Sequence, residues 1–148
     1  MSDVRDTRQR IQDVRTLLRS ERDAWVPSAN GSGDAYIIPL SFSWDGELVT
    51  MATPRSSQTA RNLRRAGWAR IALGSPLDVV IIEGTLSQIL ASDAGSFADE
   101  HAQAVGFDAR EQTQEYVFFR LTPERIQAWR SPAELPARDV MRAGRWLA

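Results

Sequence analysis

The chain has 148 residues, 43% hydrophobic and 25% charged, with 18 basic residues against 19 acidic ones and a net charge of −1, the size and balance of one domain rather than a disordered tail or a two-domain enzyme. It contains no cysteine and one histidine, His101, which excludes disulfides, thiolate zinc sites, iron–sulfur clusters, cysteine nucleophiles and multi-histidine metal sites; no metal is expected, and catalysis falls to carboxylates or to a bound cofactor. Every basic residue is Arg, so lysine Schiff-base chemistry is excluded as well.

The first residues lack the apolar run of a secretory signal or a transmembrane helix, so a cytoplasmic protein with no membrane partner is expected. Val4, Ile11, Val14, Leu17 and Leu18 recur at helical spacing and predict an amphipathic helix over 3–22, with Ser2 or Asp3 as its cap. Trp25 to Ala29 reads as a short strand, and the Gly- and Asn-rich stretch from Asn30 to Asp34 as a hairpin turn. Ala35 to Trp44 is a long strand interrupted by Pro39. A proline cannot donate to a central ladder, so an edge, a bulge or an opening is expected there. Asp45-Gly46 predicts a two-residue hairpin returning through Glu47 to Thr53.

Between Glu47 and Asp78 the chain carries Arg55, Arg61, Arg64, Arg65 and Arg70 and no acid, while the remainder holds thirteen arginines against all nineteen acids. The positive charge is local. Ser56 to Ala66 predicts a helix with Ser56 or Ser57 as N-cap and Gly67 as terminator. The run Thr53-Pro54-Arg55-Ser56-Ser57-Gln58-Thr59-Ala60-Arg61-Asn62-Leu63 thus passes from a strand end into a helix start. Free amides, four hydroxyls and two guanidiniums at that point suit a phosphate, and they equally suit an ordinary capped helix with a solvated arginine face.

Trp68 to Gly74 and Val79 to Leu90 are further strands, the second apolar enough to be central. Glu83 in that apolar run needs a partner, and an arginine across the sheet or an interface is the expected one. Residues 93 to 105 predict a helix closed by Gly106, with His101 exposed and without a role. Tyr116 to Leu121 and Arg125 to Trp129 are the last strands, joined by Thr122-Pro123-Glu124, and the tail over 132–148 needs a surface to dock on. About seven strands with three interspersed helices give a mainly β, α+β chain. The order is no strand–helix alternation, and an antiparallel Greek-key barrel with peripheral helices fits it over one domain, 1–148.

Four blocks resemble the pyridoxamine 5'-phosphate oxidase-like family of flavin and deazaflavin split β-barrels: the Trp25-Val26 strand, Pro39 to Gly46, the Arg61-Asn62-Leu63 helix, and Val79 to Gly84. The segment Arg120 to Trp129 also resembles that family's closing strands. The resemblance implies a homodimer with a small-molecule substrate and a cofactor, FMN or alternatively coenzyme F-420, in the cleft between subunits. Its ring would lie along Ile38 to Ser41, with Pro39 and Ser41, and along Thr50, Met51 and Ala52. Its phosphate would meet Arg55, Ser56, Ser57, Thr59, Arg61 and Asn62, with Arg142 and Trp146 covering the ring from the partner. Relatives often carry a basic residue where this chain has Thr59, and Arg55 or Arg61 would compensate. No catalytic residue is implied. The expected function is a flavin-dependent oxidoreductase in which the cofactor carries the chemistry, against a non-catalytic flavin or tetrapyrrole carrier; nucleic-acid binding is disfavoured by the overall charge of −1.

Overall fold

The computed structural model describes residues 4–148. Its first helix, α1 (Thr7–Ser20), is capped by Asp6, whose carboxylate accepts the Gln9 amide at 2.8 Å. It is shorter than the predicted 3–22, and the anticipated caps Ser2 and Asp3 lie outside the described residues. Ile11, Val14 and Leu18 enter the main core from its apolar face.

The strands follow as β1 (Asp23–Ala29), β2 (Ala35–Trp44), β3 (Val49–Pro54), β4 (Trp68–Ser75), β5 (Asp78–Leu90) and β6 (Tyr116–Trp129), with α2 (Gln58–Ala66) after β3 and α3 (Phe97–Val105) between β5 and β6. They pair antiparallel in the order β3-β2-β1-β4-β5-β6, and β3 pairs with β6 to close a six-stranded barrel. Two short strands, β7 (Asp139–Arg142) and β8 (Arg145–Trp146), extend the sheet from the far half of β6. Val26, Val49, Met51, Ile71, Ile82, Leu121 and Ile126 fill the interior. A second cluster, with Ala98 and Phe97 of α3 against Phe118 and Ala52, packs α3 on the outer wall.

The structure departs from the sequence expectations at three further points. The hairpin at Asp45 has a four-residue loop, Trp44 pairing with Val49, because the Asp45 carboxylate accepts the Glu47 and Leu48 amides at 2.8 and 2.7 Å and stabilises a wider turn. The segment from Tyr116 to Trp129 is one strand: Thr122-Pro123-Glu124 does not break it but forms a bulge, where the register with β5 shifts between Glu83 and Gly84. The segment over 93–105 yields a short 3₁₀ turn (Ala91–Asp93) before α3 begins at Phe97. The tail docks as expected: Arg5 of the N-terminal segment binds Glu134 at 2.7 Å and Asp13 at 3.0 Å, and the buried Arg10 donates to the Ala128 and Ala137 carbonyls. Glu83 meets Arg70 across β4 and β5 at 2.8 Å, as its sequence context required.

Candidate functional site

The barrel is split where β2 leaves β3. Those strands pair only over Phe42 to Trp44 and Val49 to Met51; Ala35 to Ser41 continues against β1 alone, and Ala52 to Pro54 against β6 alone. Pro39 falls within the stretch unpaired toward β3, where a residue without an N–H costs least. Of the edge, bulge or opening expected at Pro39, the strand has an opening.

A cavity of about 420 Å³ occupies the split. Pro39, Leu40 and Ser41 line one side and Ala52, Thr53 and Pro54 the other; His101 and Val105 of α3 and the Phe107 and Tyr116 rings, 5.4 Å apart, complete it. Ser41 Oγ donates to Asp23 at 2.8 Å. Asp23 is the one charged residue on the wall, and no arginine reaches it.

His101 overturns its sequence reading. It is 2% exposed, packs edge-on against Phe118, and its Nδ1 is hydrogen-bonded to Ser43 Oγ at 2.7 Å. Burial drives its pKa down to about 4, against a smaller opposing pull from Asp108, so the ring is neutral at physiological pH. The acids nearby in sequence suggested an exposed face. The signal that locates the ring is the spacing of Ala98 and His101, which puts both on the buried side of α3. Ser43, Phe107, Tyr116 and Asp23 were likewise not singled out by sequence; alternation along β2 puts Ser43 on the same side as Ser41.

The start of α2 adjoins the split. Ser57 caps the helix by accepting the Ala60 amide at 3.0 Å and lies 3.0 Å from Thr53 Oγ1. Arg61 folds back over this end, donating to the Ser56 carbonyl and to Gln58. Arg55 and Ser56 line an adjacent shallow groove with Arg64. Thr59 does not point outward: it is 0% exposed and its hydroxyl has no partner. Asn62 is buried and satisfied, donating to Ser28 at 3.0 Å and accepting from Gln58 at 2.8 Å. The groups at this end able to meet an anion are the first amides of α2 and the Arg55 and Arg61 guanidiniums, while Thr59 and Asn62 are turned inward.

Of the remaining expected site residues, Ala52 joins Pro39 and Ser41 in the cavity. Met51 turns into the barrel core, and Thr50 accepts a hydrogen bond from Arg120 at 3.2 Å. Arg142 is tied to Asp139 at 3.1 Å, and Trp146 lies under Arg15, 4.8 Å from its ring centroid. Within one chain these two do not join the cavity. Among the described residues no helix is long and apolar enough to cross a membrane, and no group of three acidic or histidine side chains is placed to hold a metal.

A six-stranded antiparallel barrel opened between β2 and β3, with a helix start beside the opening, defines the split-barrel class of folds. The family model for pyridoxamine 5'-phosphate oxidase matches residues 11–130, and the chain belongs to that family. No curated protein matches its sequence. Among solved structures, General Stress Protein 26 from Bacillus anthracis is similar at TM-score 0.60 and 16% identity, over 79% of this chain and 91% of that one. An F-420 reductase is similar at TM-score 0.61 and 15% identity over 75% and 93%. A heme binding protein from Mycobacterium smegmatis matches at TM-score 0.65 and 16% identity over 88% of this chain and 57% of its own. At such identities the likeness is one of fold.

Proposed function

We propose that this chain is a homodimeric flavin-dependent oxidoreductase that holds FMN at the split between β2 and β3. The observation that carries the reading is the junction of a largely apolar cavity, with no cation on its wall, and a helix start over which Arg61 folds: a flat ring suits the first and a phosphate the second. Arg55, Arg61 and the first amides of α2 would hold the phosphate, and Pro39, Ser41 and Ala52 would flank the ring. Bound there, FMN would supply hydride chemistry, and the protein would supply orientation and exclusion of water.

The dimer is supported by the outer face of β1, β2 and β4. Trp25 and Ile37 are 51% and 56% exposed; Trp25 stands opposite Pro39 and Ala72, and Pro27 opposite Ile37, forming an apolar stripe that a second copy would cover. Arg142 and Trp146 would reach a cofactor only from such a partner.

The test is spectroscopic. The purified protein is expected to show flavin absorbance or, as apoprotein, to bind FMN more tightly than F-420. Arg55→Ala with Arg61→Ala should weaken FMN about tenfold or more, since hydrogen bonds to a charged group contribute roughly 1.5–3 kcal/mol each. Binding of neither cofactor overturns the proposal, and preference for F-420 transfers it to a deazaflavin reductase.

A further inference from the structure

The histidine in the cavity wall has no part in the reading above, and its surroundings define one. Nδ1 is held by Ser43 at 2.7 Å. Among the described residues, the buried side-chain atoms left without a partner are Arg10 Nε and Thr59 Oγ1. Among the described residues His101 Nε2 makes no hydrogen bond and is not one of those buried atoms, and His101 lines the cavity. An imidazole nitrogen left open on a cavity wall is free to hydrogen-bond what enters the cavity, water or a ligand that displaces it.

The rest of the cavity restricts what that partner is. Leu40, Ala52, Pro54, Val105, Phe107 and Tyr116 give it apolar and aromatic walls suited to a flat ring. Its one charged residue is the anionic Asp23, and no guanidinium lines it to neutralise a phosphate or carboxylate. Arg120, the cation on the neighbouring strand, is occupied by Asp45 at 3.1 Å and by the Phe97 ring.

We propose that the cavity receives an uncharged planar ring bearing a carbonyl or ring nitrogen, that His101 Nε2 is its hydrogen-bond partner, and that Ser43 positions the imidazole by fixing its tautomer. The proposal rests on the flavin reading only for orientation: the ring belongs at the His101 end of the split and any phosphate at the α2 end. Two sources share this chemistry, the ring of the cofactor and a quinone-like substrate.

Because His101 is the single histidine, selective ¹⁵N-histidine labelling of the full chain gives one imidazole whose two nitrogens report protonation, tautomer and contact without ambiguity. At neutral pH one neutral tautomer is expected. Titration with lumichrome, a phosphate-free flavin ring, or with menadione, an uncharged quinone, should move Nε2 saturably while the Nδ1 bond persists, and inorganic phosphate should leave both nitrogens unmoved. A response to lumichrome assigns the ring to the cofactor, and one to menadione alone assigns it to a substrate. His101→Phe, which keeps an aromatic against Phe118, should weaken the responding ring about fivefold, the size of one neutral hydrogen bond, and Ser43→Ala should mix the tautomers. An imidazole that exchanges freely between tautomers, movement of Nε2 by phosphate, or silence toward both rings overturns the proposal. If FMN binds and His101 does not respond to it or to either ring, this inference fails and the cofactor reading stands; if rings bind at His101 and FMN and F-420 do not, the reverse holds.

Discussion

Thr59 separates two roles that the sequence presented together. Its hydroxyl is fully buried without a partner, a state that costs roughly 1–3 kcal/mol relative to a satisfied group. Valine has the same shape and a similar helix propensity. Thr59→Val should therefore stabilise the protein by about 1 kcal/mol, raising Tm by roughly 2–4 °C, and leave FMN affinity unchanged; a loss of affinity would show that the hydroxyl turns outward when phosphate binds. His101 gives a second expectation at this scale. Its folded pKa of about 4 lies below the ordinary value of 6.5, so between those values the unfolded chain takes up a proton that the native chain refuses. Stability must then fall as pH drops through that window. The groups around the ring set the sign: Phe118 and Ser43 are neutral, and Asp108 opposes the burial without cancelling it. Urea denaturation between pH 7 and 4 should show this slope in the wild type and a flatter one in His101→Phe.

At the scale of elements, the bulge facing Gly84 governs how β5 and β6 cross. A Cβ built on Gly84 would lie 1.9 Å from the Thr122 carbonyl oxygen, a backbone atom that cannot swing aside. Gly84→Ala should cost more than about 3 kcal/mol, beyond the ordinary range for single substitutions, and a destabilisation under 1 kcal/mol measured by urea denaturation would mean the strands separate there at little cost. The bulge also explains what the sequence hid. Pro123 reads as a strand break because it lacks an N–H, yet an extra residue, Glu124, accommodates it and one strand continues. Strands β1 to β5, the three helices, the Pro39 opening and the Ser57 and Gly67 caps were legible because each depends on local chemistry. The α3 face that buries His101 was not, since its partners Ser43 and Phe118 lie 58 residues upstream and on another strand. The cavity half of the site is assembled by topology, and only its cationic half is written contiguously.

At the scale of the whole molecule, two surfaces remain to be assigned, and they answer to different tests. The first is sealed within the chain. Arg5, with its own amide and that of Arg130, holds the Glu134 carboxyl down to about 2, which ties the N-terminal segment to the tail that carries β7 and β8. A carboxylate with a depressed folded pKa contributes above its unfolded value, near 4.5, and loses that contribution as pH falls toward 2. This loss lies mostly below the His101 window. The second surface is open: Trp25 and Ile37 project from the barrel at 51% and 56% exposure, while their neighbours Ala24 and Val26 face the core. A charge placed on the outward side should leave the barrel folded, because it removes no core contact. If a second copy covers this face, the wild type elutes as a dimer, and Trp25→Glu with Ile37→Glu elutes as a folded monomer with an unchanged far-UV spectrum. The same variant should bind FMN more weakly, since the cover expected from Arg142 and Trp146 comes only from the partner. A monomeric wild type, or a double variant that still dimerises, would move the interface elsewhere; a monomer that retains full FMN affinity would show that the split, the cavity and the α2 start suffice within one chain.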